Sequence, residues 1–343
     1  MISKLIELAE RGTIPDYFIR IGIVQNCKNR LDNECSSDKE KVSVTKQNWI
    51  KQMKDSPIAL VPEKANEQHY EVPPSFFENV LGKHLKYSSG YWPNGVNSLD
   101  DSEEAMLNIS FNRAQLVDGN SILELGCGWG SFTCYMAGKL PNSKITAVSN
   151  SKDQREYILN RCKAKGMNNV EVLTADMNDF ETKEDFDRVV SIEMFEHMRN
   201  YKKLLSKISN WLNDEGKLFI HIFSHESVVY PFENQGEADW MAREFFSGGM
   251  MPSHDLLLHF QDDLKIDDIW SMSGTHYEKT SLAWVNKMDQ NKDKIMEIFL
   301  DTYGDDAKLW FQRWRIFFMS CEKLFGYDNG SEWGVSHYRF SKR

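Results

Sequence analysis

The chain has 343 residues, 41% of them hydrophobic and 27% charged, with a formal net charge of −10. This is the composition of a globular protein with one large or two smaller domains. The negative balance argues against nucleic-acid backbones and acidic membrane surfaces as main partners and favours a cationic substrate. No apolar run reaches membrane-spanning length, and the first residues lack the basic start and cleavage site of a secretory signal. The six cysteines (Cys27, Cys35, Cys127, Cys134, Cys162, Cys321) form no CxxC pair. They read as reduced thiols of a cytoplasmic protein rather than disulfides or a zinc site, and no metal cluster is expected.

In chain order, residues 1 to about 30 have helical periodicity. Ile2, Leu5, Ile6 and Leu8 form one apolar face, and Pro15 opens a second helix carrying Phe18, Ile19, Ile21 and Ile23. The polar stretch 31–46 is expected to be a mobile linker. Helices are expected over 47–85 around the Val72-Pro73-Pro74 turn, closing an N-terminal helical region over 1–85. From residue 119 the pattern becomes strand–helix alternation. Strands are expected at Ser121–Leu125, Lys144–Val148, Val170–Leu173, Phe186–Ile192 and Lys217–Phe223. Such alternation predicts an α/β, doubly wound, Rossmann-like core over 86–225 with a parallel sheet. The remaining 226–343 is aromatic-rich. It is expected to supply a strand near Ile269–Ser273, long helices over 279–299 and 306–325 acting as a substrate lid, and a final strand over Trp333–Phe340.

The most informative stretch is SILELGCGWG, residues 121–130. An apolar strand runs into Gly126, Gly128 and Gly130, which let the backbone turn tightly and a ligand approach the main chain. The third glycine comes one residue earlier than in the phosphate-binding fingerprint. The loop therefore suits a nucleoside ligand without a pyrophosphate. Glu124 can hold the ammonium of an amino-acid tail. Strand two ends at Asn150, with Gln154 close behind, offering neutral hydrogen bonds to a ribose. Strand three ends in Asp176 and Met177, a carboxylate for an adenine amino group and an apolar neighbour for its ring. Asp176 reads equally as a turn cap. Ligands of an open parallel sheet bind where the strand order reverses, between strands one and four. Strand four delivers Glu193, Glu196 and His197 to that point. These three are either reactive groups or caps of the following helix.

Together these pieces resemble class I S-adenosylmethionine-dependent methyltransferases. More narrowly, they are similar to the cyclopropane-fatty-acid-synthase-like superfamily and its coclaurine N-methyltransferase branch. The resemblance is carried by YSSGYW (87–92), LELGCGWG (123–130), SNSKDQREYI (149–158), IEMFEHMRNY (192–201), FQDDLKIDDIW (260–270), SGTHY (273–277) and LFGYDNGSEWGVSH (324–337). It implies a seven-stranded sheet with the last strand antiparallel and a helical lid inserted after strand five. It further implies S-adenosyl-L-methionine as cofactor, held by Tyr87, Ser88, Glu124, Gly126, Gly128, Asn150, Gln154, Asp176 and Met177. Glu193, Glu196 and His197 become partners of a small-molecule amine, with Tyr91, His225, Phe246, Phe325 and Trp333 in its pocket. A homodimer without stable membrane association is expected. Two alternatives stay open. One is a lipid cyclopropane synthase, whose bicarbonate ligands would align with Ser89, His221 and Tyr277; the other is a cofactor-binding module without turnover.

Overall fold

Short apolar runs between turn residues build one sheet, and its order decides where a ligand can bind. In a computed structural model that describes residues 2–35, 38–60, 72–234, 236–237 and 239–343, the strands are β1 (Ser121–Leu125), β2 (Lys144–Ser149), β3 (Val170–Thr174), β4 (Phe186–Ile192), β5 (Leu212–His225), a two-residue pair β6 (Tyr230–Pro231) and β7 (Met250–Met251), β8 (Leu264–Met272) and β9 (Trp333–Lys342). The main sheet has seven strands in the order β3-β2-β1-β4-β5-β9-β8. β1 to β5 are parallel, and β9 runs antiparallel to both β5 and β8. The chain leaves β1 towards β2 on one side and reaches β4 on the other. A crevice therefore opens at the C-terminal ends of β1 and β4. Leu123, Leu125, Val189 and Ile220 are fully buried along these strands, as expected where both faces of a parallel sheet are covered.

The helices are α1 (Ile2–Glu10), α2 (Asp16–Glu34), α3 (Lys39–Asp55), α4 (Pro74–Val80), α5 (Leu99–Arg113), α6 (Ser131–Lys139), α7 (Lys152–Ala164), α8 (Tyr201–Trp211), α9 (Trp240–Glu244), α10 (Thr275–Gln290), α11 (Lys292–Tyr303) and α12 (Ala307–Phe325). The expectation of a linker over 31–46 is corrected. Residues 31–34 are the last turn of α2, and 39–46 lie within α3. Only scattered apolar residues, Leu31 and Val42 among them, pack this stretch against the core, and local polar groups support the helices. Arg30 pairs with Glu34 one turn on, and Asp38 caps α3 by accepting from the N–H groups of Glu40 and Lys41. Residues 36–37, and 61–71 of the helical expectation over 47–85, lie outside the described residues.

Beyond β5 the chain carries only the short elements β6, α9 and β7 to about residue 263, forms β8, and then builds α10 to α12 before returning as β9. The single helix expected over 279–299 is two helices, broken at Asn291, whose side-chain amide donates to the Asn79 carbonyl at 2.8 Å. The lid is knitted to the N-terminal region through rings. Phe76 of α4 lies 5.0 Å from Phe299 of α11 and 4.8 Å from Trp314 of α12, centroid to centroid, and all three are fully buried. Among the described residues, no helix is long and apolar enough to cross a membrane.

Candidate active site

The loop after β1 is built by conformations that only glycine adopts freely. Gly126 has φ +76°, and a Cβ there would come within 2.7 Å of the Met194 Cβ. Gly128, at φ +50°, has nothing within 4 Å of where its Cβ would be, so its backbone faces open space in the cavity. Behind the loop, Glu124 is buried and accepts from the Thr133 hydroxyl. Burial pushes its carboxyl up to about 8. On the β2 side, Gln154 is 1% exposed. Its oxygen accepts from the Ser149 hydroxyl at 2.6 Å, while its Nε2 donors find no acceptor among the described residues. An unpaired buried amide donor beside a cavity is free to meet a ligand's acceptor. Asn150, Asp176, Met177, Tyr87 and Ser88 line the same cavity. Asp176 lines the cavity, and one of its oxygens accepts from the Asn178 N–H at 2.7 Å, as a turn cap does.

Glu193, Glu196 and His197 face that cavity from the end of β4. They are not caps of the next helix, because Asn200 caps α8 through the Lys203 N–H. Glu193 holds φ +47°, a conformation L-residues adopt at a cost of about 1–2 kcal/mol. Its N–H donates to the His221 carbonyl at 2.8 Å, which extends the β4–β5 ladder by one residue and turns the side chain inward. Both carboxylate oxygens have partners: Tyr277 donates its hydroxyl at 2.8 Å, and the His221 Nε2 lies 3.3 Å away. Burial raises the Glu193 carboxyl, opposed chiefly by the buried Lys86.

Glu196 is 2% exposed and its Oε2 has no partner among the described residues. Burial, together with the charge on Glu193, holds it well above the usual carboxyl range. His197 is pushed down to about 4 by burial, so its ring is neutral at physiological pH. The ring stacks on Phe246, centroids 4.6 Å apart.

Of the residues expected in the acceptor pocket, Phe246 and Phe325 line the cavity, and Phe325 stacks on Tyr277 at 4.2 Å. Tyr91, His225 and Trp333 do not line it and are corrected. Tyr91 packs against His276. The His225 ring turns away to accept from the N–H groups of Ser227 and Val228. Trp333 is fully buried and donates its indole N–H to the Tyr230 hydroxyl. Aromatic residues at strand ends read as ligand contacts from sequence, but these satisfy the core instead.

Sequence reasoning missed Lys86. It is 1% exposed, donates to the Ser88 hydroxyl and the Ser89 carbonyl, and sits between Glu193 and Glu103. Glu103 gathers the loop that carries it, accepting from the N–H groups of Gly82, His84 and Lys86. Lysine is almost never fully buried without a partner. The signal that marks Lys86 is therefore the carboxylates around it, which come from distant segments.

The arrangement can hold a nucleoside with an amino-acid tail against the loop after β1. It can also present a carboxylate and a neutral imidazole to a cation entering along apolar walls. A family model described as "Mycolic acid cyclopropane synthetase" matches residues 61–331. The chain is 37% identical over 348 residues to (S)-coclaurine N-methyltransferase of Thalictrum flavum subsp. glaucum, covering 100% of this chain and 96% of that one. The crystal structure of coclaurine N-methyltransferase bound to N-methylheliamine and SAH superposes with a TM-score of 0.96 at 36% identity, over 99% of each chain. A cyclopropane synthase of Mycobacterium tuberculosis shares the fold, with a TM-score of 0.69 at 20% identity, covering 81% of this chain and 98% of that one.

Proposed function

This chain belongs to the mycolic acid cyclopropane synthetase family, among its coclaurine-type N-methyltransferases, and from that premise we propose that it methylates the nitrogen of a small amine of the coclaurine and heliamine kind. S-adenosylmethionine is its cofactor and supplies a sulfonium methyl group as the electrophile. The residues present fit that cofactor. Gly126 lets the loop pass close to Met194, Gly128 keeps it open to the cofactor, Glu124 offers a buried carboxylate to its ammonium, and the Gln154 Nε2 donors, unpaired among the described residues, await an acceptor.

The observation that carries the acceptor reading is the buried Glu196 with the half-buried His197 beside it on the cavity wall, one carboxylate oxygen unpaired among the described residues and the imidazole neutral. An amine with an ordinary value near 10 arrives mostly protonated and has no lone pair to attack with. Glu196 loses its reason to stay protonated when a cation is brought to it, so it attracts and orients the ammonium. The neutral His197 ring is then a base within the same pocket. Glu193 and Lys86 balance each other, so neither adds net charge to the acceptor site. Apolar walls including Phe223, Phe246 and Phe325 exclude water and favour a flat, hydrophobic amine.

The lipid reading is disfavoured by the seat of Glu193. His221 and Tyr277, aligned by resemblance with bicarbonate ligands, are engaged by the chain's own carboxylate. We place the protein in the cytoplasm, where six unpaired thiols are stable. Incubation of a panel of primary, secondary and tertiary aryl amines with methyl-labelled S-adenosylmethionine, read by mass spectrometry, tests the function. Labelled N-methyl product with stoichiometric SAH is expected. Label in acyl chains of added phospholipid and in no amine would replace this reading with the lipid one.

A further inference from the structure

Behind Glu193, away from the cavity, four side chains from four separate segments form one hydrogen-bonded line. Glu193 Oε1 faces His221 Nε2 at 3.3 Å, His221 Nδ1 faces His337 Nε2 at 2.8 Å, and His337 Nδ1 faces Arg113 Nη1 at 2.8 Å. The sheet sets this up: His221 on β5 and His337 on β9 are direct antiparallel partners, and Trp270 on β8 is the next partner outward. Directly opposed residues share a face. Both histidines are fully buried. Arg113, at the C-terminal end of α5, lays its guanidinium over Trp270 at 4.8 Å and makes no ion pair among the described residues.

The order of donors along this line has one solution. A guanidinium cannot be deprotonated in a protein and has no acceptor atom. His337 Nδ1 must therefore be the acceptor, and a neutral His337 then carries its proton on Nε2. That proton points at His221 Nδ1, so His221 in turn carries its proton on Nε2 and donates it to Glu193. Burial and the cations Lys86 and Arg113 hold both rings neutral. Without Arg113 the reverse order is equally available. His221 would donate to His337, and a bare ring nitrogen would face the Glu193 carboxylate.

We propose that Arg113 is a positioning residue for methyl transfer, acting through the tautomers of His337 and His221 to keep Glu193 an ionised, doubly hydrogen-bonded carboxylate. The inference rests on the amine reading above for its link to catalysis. It also has a mechanistic consequence. Both Nδ1 atoms are already filled, so the histidine pair cannot carry a proton away from Glu193 through the sheet. The proton of the amine stays on the cavity side, with Glu196 and His197.

Other charged and titratable groups face this line. Lys86, His197, Tyr277, Cys321 and the Ser89 backbone N–H surround Glu193, with Glu196 beside it. Lys86 also faces both histidines, and Tyr91 faces Arg113. Lys86 and Tyr277 already favour the Glu193 carboxylate, so Arg113 contributes a further increment rather than the whole effect.

The test begins with the SAH-bound wild-type protein, ring-15N labelled at histidine, at pH 7.5. Both His221 and His337 are expected as neutral Nε2–H tautomers. An Nδ1–H tautomer or an imidazolium at either ring would overturn the proposal, whatever amine the enzyme accepts. Arg113→Met should redistribute the tautomers of both rings and move the acid limb of the kcat–pH profile up by about one unit, a roughly tenfold loss of rate below that limb. Arg113→Lys, which keeps a charged donor, should restore the native tautomers and limb. A folded Arg113→Met protein, shown by native SAH affinity, with unchanged tautomers and limb would also overturn it. If no amine is methylated by the wild type, the functional reading fails while the tautomers still decide this one.

Discussion

At the residue scale, the site works by shielding titratable groups from bulk water. Burial and the charge on Glu193 hold the Glu196 carboxyl well above its usual range, and desolvation holds the His197 ring neutral, so that one can meet a cation and the other accept a proton. Glu196→Gln and His197→Ala should lower kcat by roughly 10²-fold or more while SAH affinity changes little, a split read by steady-state kinetics beside calorimetry. The kcat/KM for a basic amine should rise across pH 6 to 9 as the free amine deprotonates; a flat profile would remove proton loss from the mechanism. Glu124 predicts a separate pH effect. Its carboxyl is held up to about 8, so a partner that needs it ionised must first displace a proton. SAH affinity should strengthen from pH 6 to 8, by at most about tenfold per unit, with proton release on binding. Glu124→Gln should abolish that pH dependence, as measured by calorimetry in buffers of different ionisation enthalpy.

At the element scale, the β1 loop and the end of β4 form the functional junction. Gly128→Val puts a branched side chain at φ +50° in the face a ligand must approach, so SAH binding should be lost by calorimetry while the far-UV spectrum is retained. These elements were legible because each carries its own signal: apolar alternation, then glycines, then a short acidic run at the switch point. The linker expected over 31–46 failed for the opposite reason. Helices stabilised by Asp38 capping and the Arg30–Glu34 pair show little apolar periodicity, so a polar stretch there looks unstructured. His225 and Trp333 were misplaced because sequence position at a strand end does not say which way a side chain turns, and Tyr91 because a motif match does not say which of its rings faces the cavity. Lys86, Arg113 and His337 were invisible because Lys86 meets Glu193, His337 meets His221 and Arg113 meets His337 across more than 100 residues of chain, which pattern reading along the sequence cannot join.

At the scale of the whole molecule, the lid and N-terminal helices share one aromatic core with the rim of the cavity. Phe76→Ala should cost about 3–5 kcal/mol in urea unfolding, because the ring is fully buried against Phe77, Phe299 and Trp314. The buried carboxylates set the pH dependence of that stability. Burial raises Glu103 to about 7 and Glu124 to about 8, and it raises Glu193 and Glu196 as well. Through these carboxyls the folded state binds more protons than the unfolded chain between the ordinary carboxyl range and about pH 8. Below about pH 6.5 the buried neutral histidines, His221 and His337 among them, oppose this, because the unfolded chain protonates them and the folded state does not. Above it the carboxyls dominate, so unliganded stability should fall as pH rises from about 6.5 to 8, seen as a lower urea midpoint at pH 8 than at pH 6.5.

The most direct measurement is a crystal structure with SAH and an N-methylated aryl amine bound together. The ligand nitrogen is expected within hydrogen-bonding reach of Glu196 or His197, with the new methyl group directed at the SAH sulfur. A nitrogen seated on the far side of the cavity, with those two side chains turned from the sulfur and no room between them, would contradict the account.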